Sequence, residues 1–168
     1  MEFEVRHRFA TDVDGFWEHV FFDEAFNKRM YLEALGFREY RVIDQQRHAD
    51  GKVVRKIYYD PAAEVPAVAR KLFGDKTGYT ESGKFDPQAK RWKFVVTPDM
   101  AADKIRMRGE FWVETLGGGT VERVARHHIE VSMLGVGRLV EKIIEQQMRE
   151  NYDQAAAFTT RYLAQRAD

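Results

Sequence analysis

From Gly137 to Gln165 the apolar residues Val140, Ile143, Ile144, Met148, Tyr152, Ala155, Phe158 and Tyr162 recur at steps of three and four, the period of one helical face. At 1.5 Å per residue such a helix runs roughly 40 Å, about the width of a small domain. A helix of that length needs an equally long apolar trough, and the rest of the chain has too little helical pattern to build a bundle around it. The trough must be a sheet. Two amides interrupt the apolar face: on a helical wheel Gln147 and Asn151 fall among Val140, Ile143, Ile144 and Phe158, away from Arg138, Glu141, Lys142, Glu145 and Arg149. Polar groups on a buried face need partners. These two either bond to a neighbouring strand or a trapped water, or line a ligand cavity.

The remainder of the chain alternates as strands do. Phe3, Val5, His7 and Phe9 alternate with Glu2, Glu4, Arg6 and Arg8, a strand with one buried face. Thr11 or Asp12 then caps a short helix carrying Phe16, Trp17, Val20 and Phe21. Asp23 caps a second, with Phe26, Met30, Tyr31 and Leu35 on one side and Gly36 as its stop. Six further strands are expected over Phe37 to His48, Lys52 to Tyr59, Thr77 to Phe85, Lys90 to Thr97, Lys104 to Leu116 and Thr120 to Met133. They are mostly hairpin-linked, through Asp50-Gly51, Asp86-Pro87 and Gly117-Gly118-Gly119, and so antiparallel. Between the third and fourth strands, Pro66, Val68, Ala69, Leu72 and Phe73 suit a short helix, either a plain connection or a flap over a cavity mouth. With no repeat, linker or low-complexity run, one domain over residues 1–168 is expected.

Composition narrows the function. The 27 basic and 27 acidic side chains balance, leaving no electrostatic footprint for nucleic acid or anionic lipid. The absence of cysteine excludes disulfides, thiol catalysis and cysteine-ligated metals. No apolar run approaches the length of a membrane span, and the N-terminal strand pattern is not that of a signal peptide, so a cytoplasmic protein is expected.

One strand, two short helices, six antiparallel strands and a long C-terminal helix is the element order of the helix-grip superfamily, which includes START-like lipid-transfer domains, birch-pollen-allergen-like proteins and aromatic polyketide cyclases. The sequence resembles an uncharacterised bacterial START-like family of this length through Phe21-Phe22-Asp23-Glu24-Ala25-Phe26, Arg126-His127-His128-Ile129-Glu130-Val131 and the run from Leu134 to Ile144, with Tyr162-Leu163 downstream. The resemblance covers essentially the whole chain and rests more on element order than on any motif. It implies an α+β helix-grip fold, a seven-stranded curved antiparallel sheet wrapped around the C-terminal helix, with a cavity between them that takes an apolar small molecule or lipid.

Strand facing decides which side chains can meet a cavity. Ile105, Met107, Phe111 and Val113 share one face of their strand, opposite Arg106, Arg108, Glu110, Trp112 and Glu114, while Ala125, His127, Ile129, Val131 and Met133 oppose Glu122, Arg126, His128 and Glu130. The charged faces form a solvent-exposed ladder of mixed sign. His127 and His128, adjacent on a strand, point to opposite faces and cannot grip one ion. His7 and His127 both face inward on strands that the helix-grip order sets side by side. They are either a cross-strand pair that titrates near neutrality or two structural histidines. Tyr79, Glu81, Gly83 and Phe85 share a face, as do Trp92, Phe94 and Val96. Glu81 is therefore either a carboxylate in apolar surroundings, with a raised pKa, or an edge residue open to water. Arg123 shares the His127 face, but its place beside the triple-glycine turn favours exposure. No nucleophile elbow, phosphate loop or dinucleotide fingerprint is present, and no cofactor or metal is expected.

These readings converge on non-catalytic binding of a hydrophobic or amphipathic small molecule. The expected cavity lining is Tyr79, Glu81, Trp92, Phe94, Met107, Phe111, His127, Val140, Ile143, Gln147 and Asn151. The competing readings are a cyclase- or hydratase-like enzyme using His7, His127 or Glu81 as general acid or base, and a partner-binding module with a filled core and an exposed apolar patch.

Overall fold

The computed structural model describes residues 1–61, 67, 70–71 and 74–167. The segment from Pro66 to Phe73, read above as a helix or flap, lies largely outside the described residues.

Seven strands form one sheet in the order β1-β7-β6-β5-β4-β3-β2: β1 (Glu2–Phe9), β2 (Glu39–Arg47), β3 (Val53–Asp60), β4 (Tyr79–Asp86), β5 (Arg91–Pro98), β6 (Ile105–Gly117) and β7 (Thr120–Val131). Every neighbouring pair is antiparallel, and the first strand closes against the last with Phe3 opposite His127 and His7 opposite Arg123. The period-2 pattern set these strands because each has one face in the core. Along β5, for example, Trp92, Phe94 and Val96 are buried and Lys93, Val95 and Thr97 exposed. The opposite face is the expected mixed-charge ladder. Arg6 meets Glu122 at 3.0 Å, Arg126 meets Glu4 at 2.8 Å and Arg91 meets Glu110 at 3.0 Å. At this exposure solvent screens the pairs, and they add little to stability.

Helix α1 begins at Val13–Phe16 under an Asp12 cap that accepts from the Gly15 amide, then widens into the π turn Trp17–Phe21. Helix α2 repeats the construction, with Glu24–Arg29 under an Asp23 cap and a π turn over Met30–Ala34 before Gly36 stops it at φ +66°. Both pack by aromatic rings. Trp17 of α1 stacks on Phe111 of β6 at 5.1 Å, and Phe26 of α2 meets Phe158 and Tyr162 at 5.5 and 4.7 Å. Helix α2 thus braces the far end of the C-terminal helix (Gly137–Ala167), while α1 covers β6.

That helix lies along β1 and against the run of β7, as four contacts fix in sequence. Glu141 accepts from the Val131 amide at 3.0 Å, Arg149 donates to the Glu4 carbonyl at 3.0 Å, Tyr152 reaches His127 at 3.0 Å and Asp153 reaches His7 at 2.8 Å. Its contact with the sheet is uneven. Val140 near the start and Ala155, Ala156, Thr159 and Leu163 beyond the middle are buried, whereas Ile143, Ile144, Gln147, Met148, Asn151 and Tyr152 between them are only partly covered. Away from these contacts, toward β4 to β6, the middle of the helix stands off the sheet.

A polar-ended cavity between sheet and helix

The stand-off leaves a cavity of about 530 Å³. Its walls come from the inward faces of β3 to β7, the π turn of α2, the loops carrying Pro61 and Met100, and the C-terminal helix from Val140 to Ala155. Of the expected lining, Tyr79, Glu81, Phe94, Met107, His127, Val140, Ile143, Gln147 and Asn151 border it. A filled core is therefore not what this chain forms.

Trp92 and Phe111 do not border the cavity. Both face inward as their alternation requires, but α1 docks over that part of the sheet, so Phe111 is spent on Trp17 and Trp92, 1% exposed, lies against Phe21 and Phe22. Trp92 acts on the cavity indirectly. Its indole crosses Gly83, where a Cβ would sit 2.1 Å from the ring, and its Nε1 donates to Glu81 Oε1 at 3.2 Å.

Glu81 is no edge residue. β4 has partners on both sides, and the carboxyl lies deep in the protein, keeping some bare surface only because it faces the hollow. Burial raises its pKa, against the opposing pull of the Arg55 charge and the Trp92 hydrogen bond. Tyrosines surround it. Tyr59 lies 4.8 Å from Tyr31 and 5.1 Å from Tyr79, ring to ring. Burial pushes the hydroxyl pKa of each upward, so all three stay protonated donors. Arg55, 5% exposed on the apolar face of β3, spreads its charge over Phe21, Phe22 and Trp92 at 4.5, 5.4 and 5.2 Å. The alternation Val53, Arg55, Ile57, Tyr59 is the sequence signal that places it inside.

His7 and His127 are not a pair, because the β1–β7 register sets His7 opposite Arg123 and Phe3 opposite His127. His7 does not border the cavity. Its Nδ1 accepts from Arg123 Nη2 at 2.8 Å, so its proton is on Nε2 and donates to Asp153 Oδ1 at 2.8 Å. Burial lowers its pKa, with Asp153 opposing and Arg123 reinforcing. His127 borders the cavity, stacks on Phe3 at 5.0 Å and shares a 3.0 Å hydrogen bond between Nε2 and Tyr152 Oη. Burial, with Arg123 and Arg149 behind it, pushes its pKa down to about 4, so the ring is neutral at pH 7.

Arg123 is inside as well. It borders the cavity, its guanidinium stacked 4.8 Å from the Tyr152 ring and 5.4 Å from Phe9, and its Nε is buried with no hydrogen-bond partner. Gln147 and Asn151 face the same space, and neither amide has a hydrogen-bond partner among the described residues. Among those residues there is also no group of three or more histidine, aspartate or glutamate side chains arranged to hold a metal ion, and no helix long and apolar enough to cross a membrane.

The architecture is that of the START and birch-pollen-allergen-like proteins. A norcoclaurine synthase point mutant from Thalictrum flavum, in complex with a transition-state analogue, superposes at a TM-score of 0.69 with 15% identity, over 100% of this chain and 96% of its own. The Zhui aromatase/cyclase from Streptomyces sp. R1128 gives 0.65 with 14% identity over 100% and 96% of the two chains. A START superfamily protein from Mycobacterium smegmatis gives 0.64 with 14% identity over 96% and 98%. At these identities the likeness is one of fold. No curated protein matches the sequence significantly. Residues 4–163 do match one family profile along nearly the whole chain, and the protein is accordingly a member of the family described as Protein of unknown function (DUF2505).

Proposed function

We propose that the cavity binds and carries a hydrophobic or amphipathic small molecule. The observation that supports this best is the half-covered middle of the C-terminal helix. Ile143, Ile144 and Met148 leave apolar surface uncovered, and Gln147 and Asn151 leave amides unpartnered, unless a ligand covers them. A protein that only needed a core would close such a gap, since unfilled space forfeits packing. The volume of about 530 Å³ falls in the range of small-molecule pockets. Burial of the apolar part of a ligand gives about 25 cal/mol per Å², and the amides and Glu81 orient its polar part. Mass spectrometry of protein purified under native conditions tests the proposal. A lipid-like molecule released on denaturation is the expected result. Bare protein that also fails to take up added alkyl amphiphiles would overturn it.

A second reading, proton transfer on the bound molecule, is favoured by one observation: Glu81 is a carboxyl of raised pKa facing the hollow, held by Trp92. The structural relatives named as a cyclase and a synthase make the same fold a host for catalysis. Of the three candidate acid–base residues, His7 is outside the cavity and His127, its pKa pushed down to about 4, is a weak base, which leaves Glu81. Solvent deuterium exchange next to the carbonyl of a bound long-chain methyl ketone, followed by NMR, is expected under this reading and is lost in Glu81→Gln. Equal exchange in both proteins removes Glu81 from any such role.

A further inference from the structure

We infer that the molecule taken into the cavity carries a single anionic group of the carboxylate class, and that Arg123 receives it. This rests on the binding reading above. A guanidinium inside a protein is ordinarily matched by a carboxylate or by a full set of acceptors, because an unmatched buried charge is costly. Arg123 has neither. Among the described residues no carboxylate lies within ion-pairing distance of it, its one hydrogen bond goes to the neutral His7 ring, and its Nε has no acceptor at all. Asp153, the nearest acidic residue on the helix, is turned to solvent and held by His7 on the far side. The π faces of Phe9 and Tyr152 screen the charge without supplying an acceptor.

The surroundings suit one negative charge and not several. Beside Arg123 the cavity wall offers His127, neutral at pH 7, the Tyr152 hydroxyl, and the free amides of Gln147 and Asn151. These are neutral groups able to donate or accept around a monoanion, and a lone planar guanidinium matches a carboxylate fork. The other buried titratable group on the wall, Glu81, feels the Arg55 charge, while burial works against the Arg123 charge with Asp153 the one carboxylate that opposes it. Lys76 and Glu150 also border the cavity but are exposed. The apolar residues Ile105, Met107, Val140, Ile143 and Ile144 lie toward the helix start, about two turns or more before Tyr152. A ligand with its acid at Arg123 would therefore lay its apolar body along them.

The test uses one alkyl chain with three head groups, dodecanoate, dodecanol and dodecylammonium, each titrated calorimetrically below its micellar concentration near neutral pH. Unmodified protein is expected to bind the acid at least about tenfold more tightly than the alcohol, as a charge-assisted hydrogen bond would give, and the ammonium most weakly. Arg123→Gln is expected to bring acid and alcohol within about twofold of each other, and Arg123→Lys to restore part of the preference. The head-group order in unmodified protein stands even if a variant fails to fold. Equal binding of acid and alcohol, or an undiminished preference in a folded Arg123→Gln protein, overturns the anionic ligand and leaves the binding reading in place. Failure of all three amphiphiles to bind overturns both.

Discussion

Trp92 reaches across Gly83 to hold the carboxyl of Glu81, indole Nε1 to Oε1 at 3.2 Å, so that a residue of the packed core fixes an acid of the cavity wall. The contact exists because position 83 has no side chain. It links the packing under α1 to the electrostatics of the hollow, and it can be broken from either partner.

Gly83→Ala places a methyl group against the indole, and overpacking of this kind costs about 1–3 kcal/mol. The expected outcome is a melting temperature lower by several degrees. The Trp92→Phe variant keeps an aromatic ring but loses the donor, and since that hydrogen bond holds the Glu81 pKa down, its pKa is expected to rise further. Carbon-detected NMR titration of the Glu81 side chain reads the shift. An unchanged titration would mean that the indole does not act on the acid.

Acid lability is predicted around His127. Its pKa falls from an ordinary 6.5 to about 4 in the folded protein, so the unfolded chain binds the proton more readily than the native one. The sign follows: stability is fully present above about 6.5 and is lost as pH falls toward 4, by on the order of 3 kcal/mol. His7, lowered in the same direction, adds to the loss. Glu81 runs the other way, because its raised pKa favours the protonated form in the fold, a contribution present at low pH and lost as pH rises through its folded value. Urea unfolding at a series of pH values between neutrality and pH 4.5 is expected to show a shallower loss in His127→Asn than in the unmodified protein. Parallel curves would place the lability elsewhere.

The fold was almost wholly legible, because both of its periods are carried by long, unbroken patterns. The helical face from Val140 to Tyr162 and the alternations in β1, β6 and β7 located every strand and the long helix to within a few residues. The cavity was legible in part, for a physical reason. Alternation states which side chains face inward, and Tyr79, Met107 and Gln147 do. It does not say which inward residues meet the hollow and which meet another element. Trp92 and Phe111 face inward but are covered by α1, a contact between segments distant in sequence. Arg123 misleads for a similar reason. Nearness to a glycine turn suggests exposure, yet β1 pairs alongside it and Tyr152 lies over it, so the long β6–β7 hairpin carries its turn beyond the covered region. The split of each short helix into an α turn and a π turn has no evident signal in the residues, although it is the wider turn of α2 that brings Met30 and Tyr31 to the cavity wall.

Whether the space between sheet and helix takes up an apolar molecule is tested most directly by one titration. N-phenyl-1-naphthylamine, neutral and fluorescent only in apolar surroundings, is added to the unmodified protein and to Met107→Trp and Ile143→Trp, whose new indoles project from opposite walls into the cavity. Saturable uptake by the unmodified protein is predicted, together with its loss in both variants while circular dichroism and melting temperature show the fold intact. Undiminished uptake in both folded variants would contradict it.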